Sequence, residues 1–145
     1  MNEASVSSAF QTQLRNALPG AVVIKHRDAS MIGMVDASVT FNNHTVWMEY
    51  KIIKPVTKGV EGRAFMKTGV WSPLAVASAS PTQFEFAKGL AKAGRCVYLF
   101  WVLDHEAIRM RIKHVILWHP INGVELVFPN TDSVVWYFSE LLSGK

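Results

Sequence analysis

A single mixed α/β (α+β) domain, with a central mixed β-sheet flanked by helices, is the fold class this sequence predicts, and three observations predict it. Segments of helical and of alternating apolar period interleave along the chain in the order α-β-β-β-loop-α-β, then β-β-α. The 145 residues suit one core. Half of the side chains are hydrophobic and only 18% are charged, which excludes intrinsic disorder. The longest strongly apolar run, residues 96–103, is far too short to span a bilayer, and no membrane partner is expected. The first ten residues carry no basic-then-apolar leader.

The elements follow in order. Val6, Phe10, Leu14 and Leu18 (or Ala17) stand at helical spacing, predicting a helix over residues 4–18 that Pro19-Gly20 ends. Residues 21–25 form a short apolar strand. Residues 34–41 and 45–53 are β-rich runs separated by Asn42-Asn43, and asparagine tolerates the positive φ of a tight hairpin. Residues 54–80, with three glycines and two prolines, read as a flexible basic loop, with a short helix near residues 60–66. Ser80 as N-cap, Pro81 at the first helical position and Gln83 completing a capping box start a helix that stops at Gly94. The continuous apolar run 96–103 is a buried strand. Residues 108–118 and 124–128 form a second hairpin across Asn122-Gly123, and Thr131-Asp132-Ser133 begins a last helix through Leu142. Residues 3–103 make a core. The extension 104–145, with Trp136-Tyr137-Phe138, either completes the sheet or buries the interface of a homodimer.

A hairpin centred on Asn42-Asn43 pairs residues whose numbers share one sum. Phe41 then faces His44, Val39 faces Val46, and Asp36 faces Glu49. Like charges directly opposed on one face are destabilising, and a bound divalent cation is the simplest reason to keep them there. Lys51, two residues beyond Glu49, projects from the same face, with Trp47 as an apolar roof, while Val46, Met48 and Tyr50 face the other way. Two carboxylates that leave positions for water and phosphate oxygens suit Mg²⁺ or Mn²⁺. Such a metal acidifies bound water, and a neighbouring ammonium adds positive charge where a phosphoryl group is attacked.

Asp36, a twelve-residue gap and Glu49-Tyr50-Lys51 resemble the PD-(D/E)XK nuclease motif. Gly33-Met34-Val35-Asp36 resembles the G-x-P-D segment of the VRR-NUC branch and of archaeal-type Holliday junction resolvases, with Val35 in place of the usual proline. Gln83, opening a helix that ends in glycine before a hydrophobic strand, is similar to the later part of that pattern. The resemblance implies a restriction-endonuclease-like core in αβββαβ order. It implies a Mg²⁺-dependent endodeoxyribonuclease acting on DNA, with branched or junction DNA as the substrate. Asp36 and Glu49 would hold the metal with the Tyr50 main-chain carbonyl as a third ligand. Lys51 would act at the nucleophile, and Gln83 would position water or phosphate. The acidic residue that the family often carries on its first helix has one counterpart, Glu3, while Gln11 and Gln13 lie nearer the middle of that helix.

The remaining polar residues add a direction rather than a site. A net charge of +4 leans toward polyanionic partners. Lys25, His26 and Arg27 either touch phosphate or are solvated strand-end charges. Lys54, Lys58, Arg63 and Lys67 of the basic loop stand where a DNA-embracing arm would be attached. The histidines at 26, 44, 105, 114 and 119 show no paired ligand spacing, so zinc is not expected. Cys96 is the only cysteine; no internal disulfide forms, and a reducing cytoplasm is the expected compartment. Two other readings stay open: a non-catalytic nucleic-acid- or protein-binding module on the same fold, and an RNA-processing nuclease.

Overall fold

The computed structural model describes residues 2–26, 33–54, 71–106 and 109–144. Helix α1 (Glu3–Ala17) starts behind Asn2, whose side chain accepts the Ser5 N–H in a reciprocal capping box, and it buries Val6, Phe10 and Leu14 as their spacing predicts. Strands β1 (Val22–Lys25), β2 (Ala37–Phe41) and β3 (His44–Ile53) form an antiparallel meander. Asn42 and Asn43 take φ of 53° and 65°, the left-handed pair of a two-residue hairpin loop. The register is the one that the arithmetic of the turn requires, with Phe41 opposite His44 and Val39 opposite Val46.

Two helices, α2 (Pro73–Ser78) and α3 (Pro81–Ala93), precede β4 (Cys96–Glu106), which lies parallel to β3. β5 (Arg109–Trp118) and β6 (Glu125–Phe128) then add antiparallel strands, and α4 (Thr131–Leu142) follows. Gly123 at the second turn has φ 73°. The result is one mixed six-stranded sheet in the order β1-β2-β3-β4-β5-β6, in which only the β3–β4 pair is parallel. The C-terminal extension therefore completes the sheet.

Strand alternation sorts the core into two layers. Met48 and Tyr50 of β3, Leu99 and Trp101 of β4 and Val115 and Leu117 of β5 pack with Phe10 and Leu14 of α1 and with Phe138 and Leu142 of α4. On the other face, Ile53, Cys96, Tyr98, Phe100 and Trp118 pack with Val76 and Ala77 of α2 and Ala87 of α3, joined by Trp47 and Phe84. Glu49 and Lys51 share the parity of Ile53, so they belong to the α2/α3 face. No helix among the described residues is long and apolar enough to cross a membrane.

Four expectations are corrected. The strand expected over 34–41 begins only at Ala37. In a continuous strand Val35 would share the face of Ala37 and Val39; instead it is buried in the α2/α3 layer. The reason is local: the Asp36 carboxylate takes the Tyr50 N–H at 2.7 Å, so a side chain replaces the next main-chain rung and the chain turns away. Within the segment read as a loop, Pro73–Ser78 is helical, with the Ser72 side chain accepting the Ala75 N–H and proline in the first turn. Residues 55–70, including Lys58, Arg63, Lys67 and the short helix expected near 60–66, lie outside the described residues. The capping box expected at Ser80 and Gln83 is not formed, because the Gln83 side chain turns to Lys51. β4 extends past residue 103 to Glu106, since Leu103–Glu106 pair with β5 beyond a register shift at Val102/Leu103.

Candidate active site

The hairpin at Asn42-Asn43 brings Asp36 to the level of Glu49 and Tyr50, and side-chain carboxyls bond main-chain N–H groups in both directions across it. The Asp36 N–H donates to Glu49 Oε1 at 3.1 Å, and Asp36 Oδ2 accepts the Tyr50 N–H. Glu49 is only 1% exposed. Its Oε2 lies 3.4 Å from Lys51 Nζ, whose side chain is 21% exposed. Lys51 Nζ also donates to Gln83 Oε1 at 3.2 Å. The structure therefore brings Asp36, Glu49, Lys51 and Gln83 into one connected group, although they come from a bend, a strand and a helix.

Gly33 explains how α3 reaches the sheet. Its φ of +86° excludes most side chains, and a Cβ there would sit 3.1 Å from both the main-chain oxygen and Cγ2 of Thr82. The bend before Asp36 can thus lie directly against the first turn of α3, which presents Gln83 to Lys51. Gly33, Lys51, Ser80, Pro81, Thr82 and Gln83 line an open cleft of about 370 Å³ beside the carboxylates. A second, more apolar pocket of about 330 Å³ lies where β3 and β4 begin, between Val46, Cys96, Leu117 and Phe138; no carboxylate lines it. The carboxylate group and the apolar pocket are at different places on the sheet.

The electrostatics are those of a crowded acidic pair. Burial first, then the Asp36 charge, push Glu49 up to about 9, against a smaller opposing pull from Lys51. One ammonium does not offset burial and the second carboxylate, and hard oxygen donors are what Mg²⁺ or Mn²⁺ would meet. Among the described residues no three His, Cys, Asp or Glu side chains gather closely enough to hold a metal by themselves. A cation here would draw its further ligands from main-chain, water or phosphate oxygens, which is the habit of Mg²⁺. The Tyr50 carbonyl is suited to that part. The N–H and C=O of a strand residue point to the same side, and the Tyr50 N–H is already bonded to Asp36. Asp36, Glu49 and the Tyr50 carbonyl are the oxygen groups here that could hold such an ion.

Other sequence candidates fall nearby or apart. The His26 N–H donates to the Asp36 carbonyl at 2.7 Å, its Nε2 is 3.0 Å from Ser38 Oγ, and its ring stacks on Trp47 at 5.2 Å. Trp47 thus flanks the carboxylates in a stack with His26. Burial lowers the His26 pKa, so near neutral pH it offers a hydrogen-bonding ring rather than a cation. Lys25 is exposed at the end of β1, and Lys54 is exposed just beyond β3. Glu3 sits in the exposed first turn of α1, the helix covering the opposite face. Gln11 is buried on that opposite face as well, donating to the Tyr50 hydroxyl at 3.0 Å. Sequence reasoning missed Ser38 and Tyr98. Ser38 was legible, since it shares a face with Trp47 in the same hairpin register; Tyr98 was not, since it depends on pairing between β3 and the distant β4. No known family model matches the chain, and no curated protein matches it.

Proposed function

We propose that this protein is a Mg²⁺-dependent endodeoxyribonuclease of the PD-(D/E)XK kind, hydrolysing DNA phosphodiester bonds, with branched or junction DNA as the substrate class. The observation that supports it best is the buried Glu49 carboxyl held between Asp36 and Lys51, whose ammonium lines an open cleft together with Gln83. A structural ion pair needs no second acid beside it, and a carboxylate pair with an adjacent ammonium is what metal-assisted attack on phosphorus requires. Within this reading the six-stranded sheet contains a restriction-endonuclease-like αβββαβ core, followed by an added hairpin and helix.

Asp36, Glu49 and the Tyr50 carbonyl would hold the metal. Bound there, Mg²⁺ would lower the pKa of an attacking water and offset charge on the phosphoryl oxygens. Lys51, anchored at one end by Glu49 and at the other by Gln83, keeps its ammonium where negative charge accumulates on the nucleophile and phosphate. Gln83 orients Lys51 through its Oε1 and leaves its amide N–H groups for a phosphate oxygen or the water. Lys25, Lys54 and the basic residues Lys58, Arg63 and Lys67 add salt-sensitive backbone contacts.

Purified protein with Mg²⁺ is expected to nick supercoiled plasmid and to cut branched DNA, with RNA assayed in parallel. Glu49→Gln and Lys51→Ala are expected to reduce the rate by roughly 10²-fold or more, as removal of a key electrostatic group does. Cleavage that persists unchanged in both variants rejects the assignment. Salt-sensitive DNA binding without turnover would identify the non-catalytic module instead.

A further inference from the structure

We propose that the Tyr98 hydroxyl is a positioning group for Glu49, holding its carboxylate through an ordered water in the orientation that receives a divalent cation. This rests on the metal-site reading above and extends it to a residue that neither the motif nor the hairpin indicates. Tyr98 lies directly beside Glu49 in the parallel β3–β4 register, and both belong to the α2/α3 face of the sheet. Its side chain is completely buried, yet among the described residues its hydroxyl has no hydrogen-bond partner.

An orphaned hydroxyl at such a place calls for an explanation, because a phenylalanine would pack as well without the desolvation cost. The ring cannot swing away to find a partner. Trp118 meets it edge-on at 5.4 Å, Phe100 stacks on it at 5.9 Å, and Phe84 of α3 closes over it at 6.5 Å. A buried water commonly bridges otherwise unsatisfied polar groups. Here it would accept from Tyr98 and donate to Glu49, which fixes the ligand's rotamer as outer-shell partners of metal ligands generally do.

Tyr98→Phe separates this role from packing. The variant is expected to fold and to melt near the wild-type temperature, since phenylalanine keeps the ring's packing against Phe100 and Trp118. Titration calorimetry with Mn²⁺ is expected to show affinity weakened about tenfold or more, the usual cost of losing an outer-shell partner. In a Glu49→Gln background the same change should leave residual Mn²⁺ binding unaltered. Wild-type Mn²⁺ affinity in Tyr98→Phe overturns the inference while leaving the metal site standing. A wild-type protein that binds no Mn²⁺ overturns the proposed function, and the role of Tyr98 with it.

Discussion

At Glu49 three opposing influences meet within one side chain. Burial and Asp36 favour the protonated form, and Lys51 favours the ionised one; the first two win, and the group titrates near 9 rather than its ordinary 4.5. In the metal-free protein the folded state therefore keeps a proton that the unfolded chain has already released. That contribution to stability is fully present below about pH 4.5 and is lost as pH rises toward 9. Thermal melting of the metal-free protein should accordingly shift to lower temperature between pH 5 and pH 8.5, and Glu49→Gln should flatten the dependence. At pH 8, Mn²⁺ should raise the melting temperature of the wild type but not of Asp36→Asn. A pH-independent melting curve for the wild type would contradict the burial argument. Lys51 reads differently from an exposed lysine, because its two partners hold it at fixed height above the sheet.

Two short elements set the geometry that those side chains use. The Asn42-Asn43 turn places both residues in the left-handed region, where glycine is strain-free and asparagine is tolerated. Asn43→Gly should stabilise the protein by up to about 1 kcal/mol in denaturant unfolding, while Asn43→Val should destabilise it by about 1–2 kcal/mol. Neither change should alter which residue faces Glu49. The second element is the bend at Gly33. Gly33→Ala combines a positive φ with a Cβ pressed against the Thr82 main chain, and it should cost about 1–3 kcal/mol. Since that contact also seats α3, the variant should lose cleavage activity beyond its loss of stability. Activity retained in full by the folded fraction would show that α3 is positioned by other contacts. The same helix carries the corrected cap: Gln83 at the third helical position has one side-chain oxygen, and Lys51 takes it.

Across the whole molecule, the sheet divides labour between its faces. One face is sealed by α1 and α4 around Phe10, whose ring contacts Tyr50, Trp101 and Phe138 at 6.1, 5.6 and 5.9 Å. Phe10→Ala should cost about 3–5 kcal/mol, the range for truncating a fully buried aromatic. It should do so without weakening Mn²⁺ binding by the folded protein, since the carboxylate pair lies on the opposite face. Much of this was legible in residue order. Local rules determined α1, α3 and α4, the two turns, and the pairing sum from Phe41–His44 to Ala37–Met48 that brings Asp36 to the level of Glu49, because a tight hairpin and a period of two leave no freedom in register. Residue order alone did not disclose that the chain bends at Asp36, that Ser72 starts a helix of its own, or that Gln83 abandons its cap. Those outcomes, and the placement of Tyr98 beside Glu49, were decided by the tertiary structure. Parallel pairing of β3 with β4 and the seating of α3 on Gly33 join residues far apart in the chain, and only the packing of both sheet faces selects among the registers that local propensity allows.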